Sequence, residues 1–86
     1  MQLRDIQYVI TVAEEQSFTK AAHKCYVSES ALSQSISKIE LEIGSKLFLR
    51  RSSKKFVLTE TGRIFISEGR HVLEAMDEER IAVAAA

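Results

Sequence analysis

The 86-residue sequence predicts a mainly α fold: a winged helix-turn-helix with a small β-hairpin wing and a long C-terminal helix. Three observations carry that prediction. Two good helix N-caps, Ser17 and Ser28, stand eleven residues apart, which leaves room for a short helix and a tight turn and nothing more. After Gly44 the chain changes character: Leu47-Phe48-Leu49 is apolar, Arg50 to Lys55 is polar and basic, and Phe56-Val57-Leu58 is β-prone, the order of strand, turn and strand. Beyond residue 60, apolar residues again recur at helical spacing, over a length that so small a body cannot cover by itself.

Each element has its own local reasons. Leu3, Ile6, Val9, Ile10 and Ala13 place a first helix over about residues 3–15. Ser17 caps a short second helix carrying Ala21, Ala22 and Cys25, with Phe18 plugging the core. The alanine pair lets helix backbones approach closely. Tyr26-Val27 connects to the third helix, capped by Ser28, whose buried stripe is Leu32, Ile36, Ile39 and Ile43. Gly44 is the residue that stops it. No Asn-Gly or Asp-Gly fixes the hairpin turn. Thr59 caps the last helix, to which Ile64, Phe65, Val72, Leu73, Met76 and Val83 give apolar surface. The expected division is a winged helix-turn-helix over residues 1–59 and a linker or dimerisation helix over 60–86.

An apolar content of 45% fills a modest core, and a single cysteine, Cys25, excludes an intrachain disulfide and a multi-cysteine metal site. Cys25 is expected to be a small buried hydrophobe. No signal peptide and no membrane-spanning run are visible, so the cytoplasm is the default location. Formal charge sums to zero but is unevenly spread: residues 17–56 hold eight Lys or Arg against three acids, and residues 57–86 hold three Arg against six acids. An enzyme is not expected. His23 and His71 are far apart in sequence, Gly44, Gly62 and Gly69 form no phosphate loop, Glu40 and Glu42 do not share a helix face, and no nucleophile, base and orienting group come together.

The candidate functional residues lie on the third helix and the hairpin. With the aliphatic stripe inward, the outer face shows Ser30, Ser33, Gln34, Ser37 and Lys38. Gln34 can pair bidentately with adenine in a major groove, and Ser33 and Ser37 can bond to bases or phosphates. The helix start at Ser28 offers free N–H groups to a phosphate. Glu29 suits the helix dipole yet repels phosphate, and contributes to reading only by accepting from a group such as the cytosine amino group. Arg50, Arg51, Lys54 and Lys55, with Lys20, Lys24 and Lys38, can neutralise phosphates flanking the groove.

At these residues the chain resembles the amino-terminal DNA-binding domain of LysR-type bacterial transcriptional regulators. The resemblance rests on Val12-Ala13, Ser17-Phe18-Thr19-Lys20-Ala21-Ala22, Val27-Ser28, Ala31-Leu32-Ser33, Ile36, Ile39-Glu40, Gly44, Leu47-Phe48, Arg50 and Leu58-Thr59-Glu60-Thr61-Gly62. No single anchor decides it; the ordered set does. The resemblance implies that the helix beginning at Ser28 enters a major groove, that Ser33, Gln34, Ser37 and Lys38 face DNA, and that Ser17, Thr19 and Arg50 meet phosphate. It implies a homodimer through the long helix, with a tetramer as a further option in a full-length regulator, on an inverted-repeat operator in bacterial cytoplasm and nucleoid. It implies no cofactor in this domain and a small-molecule effector only for a carboxy-terminal domain that these residues do not contain. The chain departs from the family in carrying Glu29-Ser30 where Gln-Pro is frequent, and Gln34 and Ser37 where basic residues are frequent. These departures bear on the preferred base sequence rather than on the fold. The competing reading is a winged-helix protein-interaction module without nucleic acid; zero net charge is its best argument, and the basic wing beside a polar helix face stands against it.

Overall fold

A computed structural model describes the backbone of residues 1–52 and 55–85 and the side chains of 1–52 and 55–76; Lys54 and the side chain of Val83 lie outside the described residues. The order is α1 (Leu3–Glu15), α2 (Phe18–Lys24), α3 (Glu29–Ile43), β1 (Phe48–Arg50), β2 (Phe56–Leu58) and α4 (Glu60–Ala85). The mainly α winged helix-turn-helix expected from the sequence is the observed fold. No described helix is long and apolar enough to cross a membrane.

The helix boundaries follow from their caps. The Asp5 carboxylate accepts from the Gln2 N–H at 2.8 Å, taking up one of the donors that the start of α1 leaves without an intrahelical partner. Ser17 Oγ accepts from the Lys20 N–H at 3.1 Å, and Ser28 Oγ from the Ala31 N–H at 3.0 Å. Between them the chain reverses at Tyr26, which holds a left-handed φ of 59° with its ring fully in solvent. Gly44 ends α3 with φ 80°, where a side chain would be strained, and its N–H donates to the Glu40 carbonyl at 2.8 Å.

Val9, Ile10 and Val12 of α1, Ala21 and Ala22 of α2, and Leu32, Ile36 and Ile39 of α3 form one core with Leu47, Phe48 and Ile66. Phe18, Phe48 and Phe56 pack edge to face, with centroid separations of 5.8, 5.3 and 5.1 Å, and so fasten the hairpin to α2. The hairpin is antiparallel, with Phe48 opposite Leu58, Leu49 opposite Val57 and Arg50 opposite Phe56. Thr59 Oγ1 accepts from the Gly62 N–H at 2.9 Å and donates to the Lys46 carbonyl at 2.6 Å, capping α4 and tying it to the strand approach.

Four details correct the sequence expectation. Ile43 leaves the buried stripe and is 38% exposed, because the last turn of α3 overhangs the edge of the core. Cys25 is the half-buried cap residue after α2 rather than a buried helix residue. Strand β1 starts at Phe48, one residue late, because the Leu47 N–H is taken by the Glu40 carboxylate. On α4 the core residue is Ile66, which the list of apolar positions passed over, and Leu73 packs partly against its own chain's core instead of belonging wholly to a free face.

Gly62 is buried, and a Cβ there would overlap the Leu47 carbonyl oxygen, a backbone atom that cannot swing aside. Gly62→Ala is therefore expected to destabilise the fold by about 2 kcal/mol even though alanine is the better helix former. Urea unfolding followed by circular dichroism measures this; a midpoint equal to the wild-type value would show that α4 can retreat from Leu47.

Candidate nucleic-acid interface

The inward stripe of α3 dictates what its opposite side presents. Ser30, Gln34, Ser37 and Lys38 are exposed there, on successive turns, while Ser33 sits half-buried at the flank nearest the hairpin. Among the described residues, the α3 side chains that make hydrogen bonds are Glu29 and Glu40, apart from the cap Ser28. The hydroxyls of Ser30, Ser33 and Ser37, the Gln34 amide and the Lys38 ammonium thus keep their donors and acceptors unspent. Leu41 continues the same face one turn further and is 82% exposed. Nothing in its spacing singled it out, since an aliphatic residue beside Ile39 and Ile43 reads as core.

Beside this face, the start of α2 and the hairpin enclose an open hollow of about 320 Å³, lined among others by Ser17, Thr19, Lys20, Glu29, Arg50 and Lys55. The Arg50 guanidinium lies over the Phe18 ring, 4.5 Å from its centroid, so the aromatic cluster that anchors the hairpin also fixes this cation. Among the described residues Lys20, Lys38, Arg50, Arg51 and Lys55 pair with no carboxylate, whereas Lys24 pairs with Glu15 and Lys46 lies 3.8 Å from Glu40. Ser17 has its oxygen engaged as a cap, and the Thr19 hydroxyl donates to Glu29 Oε2 at 3.0 Å. The structure thus brings the polar α3 face to one surface with Lys20, Arg50 and Lys55, whereas Arg51 lines a separate hollow beside Ala13 and Gln16 of α1. It does not bring in Lys24, which turns toward α1, or His23 and His71, which are separate and exposed.

One residue that the sequence offered only as a family anchor, with no role of its own, sets the geometry between the two halves. Glu40, nearly buried, accepts from the Leu47 N–H at 2.7 Å and more weakly from the Phe48 N–H at 3.4 Å, so that α3 holds the first strand of the wing directly. The available signal was a carboxylate placed seven residues before an apolar strand start, which is too common a pattern to stand out.

This geometry has close parallels. Residues 3–63 match the family model described as bacterial regulatory helix-turn-helix protein, lysR family. The chain belongs to the LysR family. It is 40% identical over 73 residues to the DNA-binding transcriptional dual regulator OxyR of Escherichia coli K12, covering 85% of this chain and 24% of OxyR. It is 34% identical over 83 residues to the HTH-type transcriptional regulator BsdA of Bacillus subtilis 168, covering 96% of this chain and 29% of BsdA. The LysR-type chain thus spans 24–29% of the length of these curated relatives. Among solved structures it is similar to the DNA-binding domain of BenM in complex with catB site 1 DNA, with a TM-score of 0.92 and 34% identity over 99% of this chain and 93% of that one. It is also similar to a CbnR DNA-binding domain–DNA complex, with a TM-score of 0.86 and 30% identity over the whole of both chains.

Glu40 generates a prediction of its own. Glu40→Ala leaves the N–H of the buried Leu47 without its acceptor, so the LysR-type domain should lose about 1–3 kcal/mol of stability. The Leu47 amide should exchange with solvent faster than the amides of α1. Unchanged exchange at Leu47 would show that water or another acceptor replaces the carboxylate.

Proposed function

We propose that this LysR-type domain binds double-stranded DNA sequence-specifically in transcription regulation, with α3 in the major groove and the hairpin wing on the sugar–phosphate backbone. The observation that carries this reading is a polar helix face with unspent hydrogen-bonding groups, set on one surface with the unpaired cations Lys20, Arg50 and Lys55. Such an arrangement separates two tasks. Cations give affinity by releasing condensed counterions, and side chains on a groove-sized helix read base edges. The similarity to OxyR, a DNA-binding transcriptional dual regulator, and to the DNA-bound domains of BenM and CbnR supports the reading. Residence in bacterial cytoplasm and on the nucleoid follows from it.

Titration of the chain against duplexes of varied sequence at several salt concentrations tests both tasks. Lys55→Ala should weaken binding to every duplex alike and lower the salt slope by about one unit. Gln34→Ala should instead lose discrimination at one base pair, by about 1–3 kcal/mol if both amide atoms bond to adenine. Equal loss on all duplexes would make Gln34 a backbone contact, and a duplex affinity that neither variant changes would sink the interface as drawn.

The same reading places a second copy of the chain along α4. Val72 and Met76 are 43% and 38% exposed on a helix whose described core contacts are made by Gly62, Phe65, Ile66, Gly69 and Leu73. A lone amphipathic helix gains its stability from packing, and two-fold pairing is the simplest closure. Two α3 helices would then meet an inverted repeat with half-sites near a whole number of turns apart, each about 34–36 Å. Because Leu73 serves its own core, the informative variant is Val72→Glu with Met76→Glu. Sedimentation equilibrium at tens of micromolar should give a dimer for the wild-type chain and a shift toward monomer for the variant, with weaker operator binding and helix content retained. A monomeric wild-type mass would remove the autonomous dimer.

A further inference from the structure

Among the described residues Glu29 is the one carboxylate lining the hollow that also holds Lys20, Arg50 and Lys55. It is the first residue of α3, where the helix dipole favours a negative charge. Its Oε2 accepts the Thr19 hydroxyl proton at 3.0 Å, across ten residues of chain and from a different helix. That contact does two things. It spends the Thr19 hydroxyl proton within the protein, so in the free chain it is the Thr19 backbone N–H, at the open start of α2, that remains to meet a phosphate. It also restrains an exposed, otherwise mobile carboxylate and leaves Oε1 without a hydrogen-bond partner among the described residues, at the groove-facing end of the helix.

We infer that Thr19 and Glu29 form a cytosine-selecting pair, Glu29 as the reading residue and Thr19 as its positioning residue; this rests on the DNA-binding function proposed above. The selection follows from what each base shows in the major groove. A carboxylate only accepts, so it needs a donor. Guanine shows N7 and O6 and thymine shows O4, all acceptors that repel it. Adenine offers its N6 amino group, but that group lies between adenine N7 and thymine O4, so a carboxylate approaching it faces two acceptors. Cytosine offers its N4 amino group with a C–H edge on one side and a single acceptor, guanine O6, on the other. Cytosine is therefore preferred, adenine is second, and guanine and thymine are rejected. Neighbouring Lys20, Arg50 and Lys55 offset the cost of bringing a carboxylate near the phosphates. In a symmetric operator the selected cytosine recurs once in each half-site.

The test is selection from a random-core duplex library by the full 86-residue chain and by three variants, each checked for fold by circular dichroism. The wild-type pool should carry cytosine at one fixed position per half-site, favoured over guanine or thymine by about tenfold, as for one hydrogen bond to a charged group. Glu29→Gln should lose that cytosine and move the same position toward adenine, which an amide can bond bidentately. Thr19→Val should flatten the cytosine preference while leaving the other positions of the pool unchanged, and Thr19→Ser, which retains the hydroxyl, should restore it. If Thr19→Val instead weakens binding to all duplexes equally with the cytosine intact, Thr19 is a phosphate contact and the positioning role is overturned. If Glu29→Gln leaves the pool unchanged, or only raises affinity for every duplex, Glu29 merely repels phosphate and the reading role is overturned. A wild-type pool without any enrichment would overturn the DNA-reading function itself, and a folded wild-type chain makes that outcome distinct from the other two.

Discussion

The fold is joined at the backbone of Leu47. Its N–H is held by the Glu40 carboxylate of α3 and its carbonyl accepts from the Thr59 N–H at 3.0 Å. That same carbonyl lies directly under Gly62 of α4, and its side chain is wholly buried. Three moving parts of a winged helix, the reading helix, the wing and the long helix, are thus fixed by the polar groups of one peptide segment. Burial supplies the reason these bonds matter: in a dry setting an unmade backbone hydrogen bond costs far more than a made one contributes. The aromatic triangle of Phe18, Phe48 and Phe56 then braces the wing from the other side. Between the two braces the hairpin has little freedom to rotate against α3, although it has only three residues in each strand.

Most of this architecture was legible because it is encoded locally. Ser17 and Ser28 cap as their hydroxyls suggest, Gly44 adopts the left-handed stop, and Leu32, Ile36 and Ile39 point inward as their spacing requires. What could not be read were the contacts between elements distant in sequence. Glu40 looks like an ordinary surface acid on a helix and becomes a structural acceptor only when the strand is laid across it. Gly62 and Gly69 look like weak points in a helix and turn out to be places where the helix must have no side chain, with Ile6 occupying the space above the second. Periodicity also fails at the ends of elements, which is why Ile43 was assigned to the core that it overhangs.

The candidate interface divides in the same way. Its composition was visible: the exposed residues of α3 and the basic hairpin are both written in contiguous stretches. Its internal bonding was not. That Arg50 rests on Phe18, and that Thr19 is linked to Glu29, depends on how α2 meets α3 and the wing, and no spacing rule reports an angle between helices. The consequence is chemical rather than descriptive. A cation stacked on a ring arrives at a phosphate already oriented, with less side-chain entropy to lose, and a hydroxyl already donating to a carboxylate is not available elsewhere.

Gly62 and Gly69 are separated by seven residues, two turns of α4, or about 10 Å along its axis. Mechanically, they make a clamp. At each point the helix backbone is pressed against something that does not yield readily: a carbonyl oxygen at Leu47 and a packed isoleucine at Ile6. Beyond Leu73, which still packs on the core, the rest of α4 as far as Ala85 is a cantilever about 18 Å long that leaves this clamp. A cantilever inherits its direction from its root, and a small angular error there grows in proportion along the arm. Two residues without side chains therefore act as the alignment surface of the whole projection, and they fix where anything carried at its far end is held relative to α3.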